Sequence, residues 1–303
     1  MTALDSSTRK LTLVFVLIGL LIGVAVAPQA WDHATEPDST VAVVELHGTI
    51  TGDSATAVID DLREARQNDS IDAVVLDVNS PGGTASASEQ LYLAVKRTAG
   101  EMPVVASVTG TAASGSYYAA APADDIYVTP ASVVGSIGVR ATLPSSSIPE
   151  GQVVTGPDKV GGSTPDEVRQ RVETLRQAFV GSVFAERGDR IELTREEVSH
   201  AKVYAGASGV ENGLADEIGG VDTAIAAAAD DAGLQNYDVV RMEAPQPSVL
   251  SQLGLSADAT GDTTTAQTFD YRGVDTVQYL MLHGTIKTET PHNTTEVTAN
   301  ATA

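Results

Sequence analysis

The sequence predicts an α/β fold, a mostly parallel sheet with flanking helices, preceded by one N-terminal transmembrane helix. Strand and helix signals alternate from residue 41 to 241, the pattern of βαβ units whose crossover helices cover a parallel sheet. Residues 71–78 are nearly continuously apolar, as befits a strand covered on both faces. Hydrophobic residues make up 42% of the chain against 19% charged, enough to bury a sizeable core in one large domain or two small ones.

At the N-terminus, Arg9 and Lys10 precede an apolar run over residues 11–27. At about 1.5 Å per residue such a run reaches about 25 Å, just enough to span a bilayer. Trp31 follows at interface depth, then Asp32, Glu36 and Asp38. Positive before and acidic after place residues 1–10 in the cytoplasm and the rest outside, with 28–40 as a linker. A cleaved signal peptide is the competing reading, because Ala25-Val26-Ala27 resembles a cleavage site. Pro28 directly after that site argues against cleavage and favours a retained anchor.

Residues 41–46 form a β-rich run, and 55–66 are helical with Val58, Ile59 and Leu62 on one face. After the strand at 71–78, the order is helix 85–97, strand 103–108 and helix 113–121, stopped by Pro122. Residues 125–128 and 137–141 are short strands. Thr164-Pro165-Asp166-Glu167 opens a helix, with Thr164 as cap, Pro165 at the first position and Glu167 closing a capping box. Val168, Val172, Leu175, Phe179 and Val183 then form an apolar stripe that reads as core packing. A further helix starts near Arg195, 206–220 is a glycine-rich turn, 224–232 is helical, and 237–241 is a last strand. Together 41–241 make one domain.

Beyond Met242 the composition shifts: prolines, Gly254 and Thr263-Thr264-Thr265 mark 242–303 as a polar C-terminal tail. Asn293 and Asn300 fit the N-glycosylation pattern, weak support for an outside location. Leu-His-Gly-Thr-Ile occurs at both 46–50 and 282–286, and the surroundings of the copies differ enough to read this as coincidence.

Composition also excludes functions. With 40 acidic residues against 18 basic, the formal charge is −22, and phosphate contacts need a basic surface, so a general nucleic-acid binder is excluded. There is no cysteine, which removes disulfides, thiol catalysis and thiolate metal sites. The lysines are Lys10, Lys96, Lys159, Lys202 and Lys287, and the remaining basic residues are arginine. An acidic excess with scarce lysine suits strong salt, where screening over about 3 Å at 1 M quiets self-repulsion. The plainer alternative is an ordinary acidic extracytoplasmic protein.

Two segments carry chemistry. Asn79-Ser80-Pro81-Gly82-Gly83 follows a buried strand, and paired glycines there leave backbone N–H groups unobstructed, as an oxyanion hole needs, although a tight loop would look the same. Gly110-Thr111-Ala112-Ala113-Ser114-Gly115-Ser116-Tyr117-Tyr118 places a serine among small residues at a strand-to-helix turn. That setting exposes a nucleophile, and it equally suits close helix packing. None of His33, His47, His200, His283 and His292 sits in a convincing context as a base. A Ser-His-Asp triad is still open by chain order. Lys159, in Gly156-Pro157-Asp158-Lys159, is the alternative: burial favours the neutral amine, which can accept the serine proton.

In series, Asn-Ser-Pro-Gly-Gly, Ala-Ala-Ser-Gly-x-Tyr-Tyr, Gly-Ser-x-Gly-Val, Gly-x-x-Lys and Gly-Leu-x-Asp-x-Ile-Gly resemble the signal peptide peptidase A family of membrane-anchored serine proteases. They stand at 79–83, 112–118, 135–139, 156–159 and 213–219, and the resemblance spans about two-thirds of the chain. It implies a Clp/crotonase-like fold and a Ser–Lys dyad, with Ser114 as nucleophile and Lys159 as general base. It also implies Ser136 orienting the lysine amine, and an oxyanion hole from Gly83 (or Gly82) and Gly115. No metal or organic cofactor is implied. Ser116 departs from the glycine usual in the family, and the segment between Ser136 and Lys159 is short and rich in Ser and Pro. Specificity therefore transfers least.

The expected function is a single-pass cell-membrane endopeptidase with an extracytoplasmic catalytic domain. Its substrates would be peptides, signal-peptide remnants or other apolar segments, and the resemblance implies a homo-oligomer. The rivals are a related protease cutting a stomatin-like partner, a catalytically decayed membrane scaffold, and an acyl-CoA enzyme of the crotonase type. The last would need neither the exposed Ser114 nor an anchor.

Overall fold

β1 (Thr40–His47) and β2 (Ile71–Ser80) lie side by side in parallel at the centre of the molecule. This is a computed structural model that describes residues 39–142, 155, 164–242 and 278–284. Helix α1 (Gly52–Gln67) crosses from β1 to β2. After β3 (Gly82–Thr84), α2 (Ala85–Ala99) leads to β4 (Val104–Ala113) and α3 (Gly115–Ala120) to β5 (Asp125–Val128). Then come β6 (Val133–Gly135), β7 (Arg140–Thr142), α4 (Pro165–Arg187), α5 (Arg195–Ser199), β8 (Val203–Ala205) and α6 (Gly206–Glu211). β9 (Glu217–Ile218), α7 (Val221–Asp231), β10 (Asp238–Met242) and β11 (Gln278–Leu282) complete the described elements.

The main sheet runs β10-β1-β2-β4-β5-β9, with β6 on the far end of β4 and β8 on β6. Every pairing in it is parallel except β6 with β8. The fold is thus the expected α/β arrangement.

Alternation along the strands splits the core in two. Val44, Leu46, Val74, Leu76, Val104 and Ala106 face one side, where Leu62, Leu91, Tyr117 and Phe179 of four helices cover them. Val41, Val43, Ala73, Val75 and Val105 face the other, where Ala224, Ile225 and Ala228 of α7 pack. Two covered faces are why residues 71–78 read as a continuous apolar run. Of the run's two polar exceptions, Asp72 and Asp77, the latter is buried but accepts a hydrogen bond from Thr109 Oγ1 at 2.9 Å and lies 3.4 Å from His47 Nε2.

Helix starts follow the sequence signals. The Thr164–Glu167 capping box forms, and so do equivalent boxes at Thr51 and Thr194. Hydrogen bonds from Thr164 hold the Glu167 carboxyl below its usual range, the expected effect of donors on the charged form.

Four expectations change. Strand β4 runs on to Ala113, because Thr111, Ala112 and Ala113 pair with β6, so the helix expected at 113 begins at Gly115. The strand expected over 137–141 is replaced by β6 and β7, since Gly135 and Ser136 adopt φ of 108° and 54°, which end an extended run. The glycine-rich turn at 206–220 contains α6 and β9. Finally, part of the expected polar tail is strand β11, which joins β3 and β7 in a separate three-stranded antiparallel sheet. Residues 279–282, Tyr-Leu-Met-Leu, are apolar enough to be pulled in. The apolar run at 11–27 and the two asparagine motifs lie outside the described residues; among those described, no helix is long and apolar enough to cross a membrane.

Candidate active site

With β4 ending at Ala113 and α3 starting at Gly115, Ser114 alone makes the turn. Its φ of 58° and ψ of −116° are unusual for an L-residue, a conformation that costs on the order of 1–3 kcal/mol and persists only where the surroundings enforce it. Two hydrogen bonds enforce it: Ser114 N donates to Gly135 O at 2.8 Å, and Tyr118 N donates to Ser114 O at 2.9 Å. The Ser114 hydroxyl donates to Gly138 O at 3.3 Å, and the residue is only 2% exposed. Ser116, the second hydroxyl nearby, is fully buried and donates to Ser80 O at 2.6 Å and Ala113 O at 2.9 Å. It ties β2 to the serine turn.

The floor under α3 is braced by the last of the sequence motifs. Tyr117 OH donates to Leu214 O at 2.9 Å, and burial pushes its hydroxyl up to about 12. Asp216 accepts from the buried Arg187 at 2.7 Å and from Ile126 N at 2.7 Å. The segment 213–219 is therefore a support for the helix that follows Ser114.

Gly82 and Gly83 sit where no side chain fits. A Cβ on Gly82 (φ +91°) would lie 2.1 Å from Met281 O, 2.7 Å from Gly115 N and 2.9 Å from Ala113 O. One on Gly83 would lie 1.8 Å from Ile50 O. The Gly82 N–H donates to Ser80 Oγ at 3.1 Å. Gly83 is the register partner of Met281 on one side and bridges Ile50 on the other.

Ser136 follows Gly135, the register partner of Ala113, so it leaves the sheet beside Ser114. Its N–H donates to Lys202 O at 2.7 Å, and its hydroxyl shares a 3.1 Å hydrogen bond with His283 Nδ1. The structure thus gathers Ser114, Gly115, Gly82, Gly83 and Ser136. Lys159 lies outside the described residues. His200 is an exposed cap of α5.

Met281 and His283 were not expected here. The only hint in the sequence was the repeated Leu-His-Gly-Thr-Ile. Both copies do flank residues 81–83: Ile50 N donates to Gly82 O at 2.9 Å, and His283 N donates to Pro81 O at 2.8 Å. One copy bridges Gly83 in parallel and the other pairs antiparallel, so they play no common role.

The model for Peptidase family S49 matches residues 96–147 and 162–235. "Protease 4" of Salmonella typhi is 32% identical over 225 residues, covering 69% of this chain and 35% of that protein. A putative protease of Methanocaldococcus jannaschii is 34% identical over 198 residues, covering 60% of this chain and 62% of its own. Among solved structures, the 1510-N membrane-bound stomatin-specific protease aligns over 69% of this chain and 99% of its own, with 15% identity and a TM-score of 0.49. Over residues 96–147 and 162–235 the chain is similar to peptidase family S49. It spans from about a third to just under two-thirds of the length of these two sequence relatives.

Proposed function

We propose that the chain is a membrane-anchored serine endopeptidase that cuts apolar peptides, signal-peptide remnants among them, through a Ser114–Lys159 dyad. The observation that carries this reading is Ser114 itself: a lone non-glycine on a strained strand-to-helix turn, beside glycines with no room for a side chain. In this mechanism Ser114 Oγ attacks the scissile carbonyl while Lys159, as a neutral amine, takes its proton. The same lysine then protonates the leaving amine, and water hydrolyses the acyl-enzyme. Ser136 orients the lysine. The Gly115 N–H and the Gly83 N–H stabilise the oxyanion. Gly83 is preferred to Gly82 because the Gly82 N–H is already committed to Ser80.

The similarity to peptidase family S49 and to proteins named as proteases supports this reading, as does the serine's strain, which an acyl-CoA enzyme of the crotonase type would not require. The apolar run at 11–27 favours a single-pass anchor with the catalytic domain outside the cell membrane. Self-association completes the proposal. The test is cleavage of an apolar peptide by the detergent-solubilised full chain and by its Ser114→Ala variant. Cleavage by the first alone supports the reading; equal cleavage by both overturns it.

A further inference from the structure

Strand β4 carries two residues more than β2 at one point of their ladder. Val78 pairs with Val108, and the next pair is Ser80 with Ala112, so Asn79 alone stands against Thr109, Gly110 and Thr111. The bulge is also where β4 changes its other partner: residues 105–108 pair with β5, and 111–113 pair with β6. Bulges beside a site re-aim the residues that follow them. We infer that the Asn79 side chain clamps this bulge and is thereby a positioning residue for Ser114. The inference rests on the protease reading and adds a residue to it.

The hydrogen bonds and contacts of the bulge carry the inference. Thr111 N donates to Asn79 Oδ1 at 3.2 Å. Thr111 opens the ladder with β6 opposite Val133, and beyond that ladder's last pair Ser114 N donates to Gly135 O at 2.8 Å. The Asn79 bond therefore fixes the start of the run whose last link is the serine turn. Gly110 lies against the same amide: a Cβ there would stand 2.3 Å from Asn79 Oδ1 and 2.8 Å from its Cγ. Thr109 Oγ1 donates to Asp77 Oδ1 at 2.9 Å. Thr109 and Gly110 pair with no strand, so side chains of β2 do the holding that a ladder would otherwise do. If the two extra residues were drawn into regular register, Ser114 would shift by about 6.6 Å along the strand, and about 1 Å of misplacement already costs up to about a hundredfold in rate. Asn79 is exposed, so core packing does not explain it. Its amide supplies an acceptor without adding a charge beside Asp77, two residues back on the same face.

The experiment uses the full-length chain and the variants Asn79→Ala, Gly110→Ala and the two combined. Each single change should lower kcat on an apolar peptide about tenfold and leave KM nearly unchanged, because the clamp orients the nucleophile and touches none of Gly82, Gly83 and Gly115. Unchanged kcat in Asn79→Ala overturns the inference. The double variant should be no slower than Asn79→Ala, because the three atoms nearest a Gly110 Cβ all belong to the Asn79 side chain. Losses that multiply to about a hundredfold would mean that the two residues act independently, and overturn it. Asn79→Asp keeps an acceptor oxygen and should recover most of kcat in about 1 M salt, where repulsion from Asp77 is screened beyond about 3 Å. No recovery overturns the inference. Amide exchange needs no hydrolysis: in Asn79→Ala, exchange at Thr111 should accelerate while 105–108 keep their wild-type rates. Faster exchange at Thr111 in a protein whose wild-type form cleaves nothing removes the protease reading and leaves the clamp. A wild type that cleaves, with kcat and Thr111 exchange both indifferent to Asn79→Ala, does the reverse.

Discussion

Ser114 and Ser136 leave adjoining strands at the same level, and both hold a positive φ, 58° and 54°. Among the described residues only one other non-glycine, Ala201, does so. Each such conformation costs on the order of 1–3 kcal/mol, and strain of this kind gathers at functional sites. The Ser114 N–H bond to Gly135 O couples the two turns, so a change in one is felt in the other.

Ser136→Ala should lower kcat about tenfold to a hundredfold, less than Ser114→Ala, because Ser136 is assigned to orient the amine and transfers no essential proton. Steady-state kinetics on one apolar peptide separates the two variants. A Ser136→Ala loss as deep as that of Ser114→Ala would give Ser136 a larger part.

Lys159→Ala should abolish turnover as fully as Ser114→Ala. Lys159→Arg should not rescue it, since guanidinium stays protonated and cannot accept the serine proton. In the wild type, the pH–rate profile should rise through one ionisation as the amine becomes neutral. Near-normal cleavage by Lys159→Ala would hand the role of base to a histidine.

Gly82→Ala should destabilise the fold by about 1–3 kcal/mol or more, because a Cβ there meets backbone atoms on three sides and the φ of +91° disfavours alanine. Gly115→Ala should cost less stability. Its closest obstacle, 2.1 Å away, is the Ser88 hydroxyl, with Met281 O the one backbone atom among its three nearest contacts, at 2.9 Å. Urea midpoints for the two variants give the comparison.

Burial, and then the neighbouring Asp216 charge, raises the Asp125 pKa above 3.8. The folded chain therefore binds this proton more tightly than the unfolded chain. Stability falls as pH rises from 3.8 through the raised value, and the loss persists above it. Asp125→Asn removes that loss, so its melting temperature should exceed the wild type's at pH 7 and match it below pH 3.8. A variant less stable at pH 7 would mean that the Arg190 contact outweighs desolvation.

The net charge of −22 predicts a melting temperature that climbs with salt, because about 1 M salt screens repulsion beyond about 3 Å. Melting across a salt series checks this. A melting point that is flat, or higher in dilute buffer, contradicts it.

The parallel sheet was legible in the sequence because both its faces are covered: a nearly continuous apolar run such as 71–78 has few other uses. Asn79 to Gly83 and Ala112 to Tyr118 were legible as a site because small residues there answer to close backbone approach, which the structure shows at Gly82 and Gly115. The end of β4 was not. Alanines at 112 and 113 suit a helix, and only the partner strand β6 keeps them extended. Strand β11 was hidden for a different reason. Five residues inside a polar stretch carry too little periodicity to mark a strand, and it forms by filling a slot between two distant ones.

The central claim is that Ser114 is the nucleophile, and covalent labelling tests it most directly. The full chain is treated with a fluorophosphonate that reacts with activated serines, digested, and mapped by mass spectrometry. The account predicts one modified site, Ser114, with labelling that disappears in Lys159→Ala and is undiminished in Ser116→Ala. Cleavage activity that survives with Ser114 unlabelled, or a label on another serine that stops turnover, would contradict it.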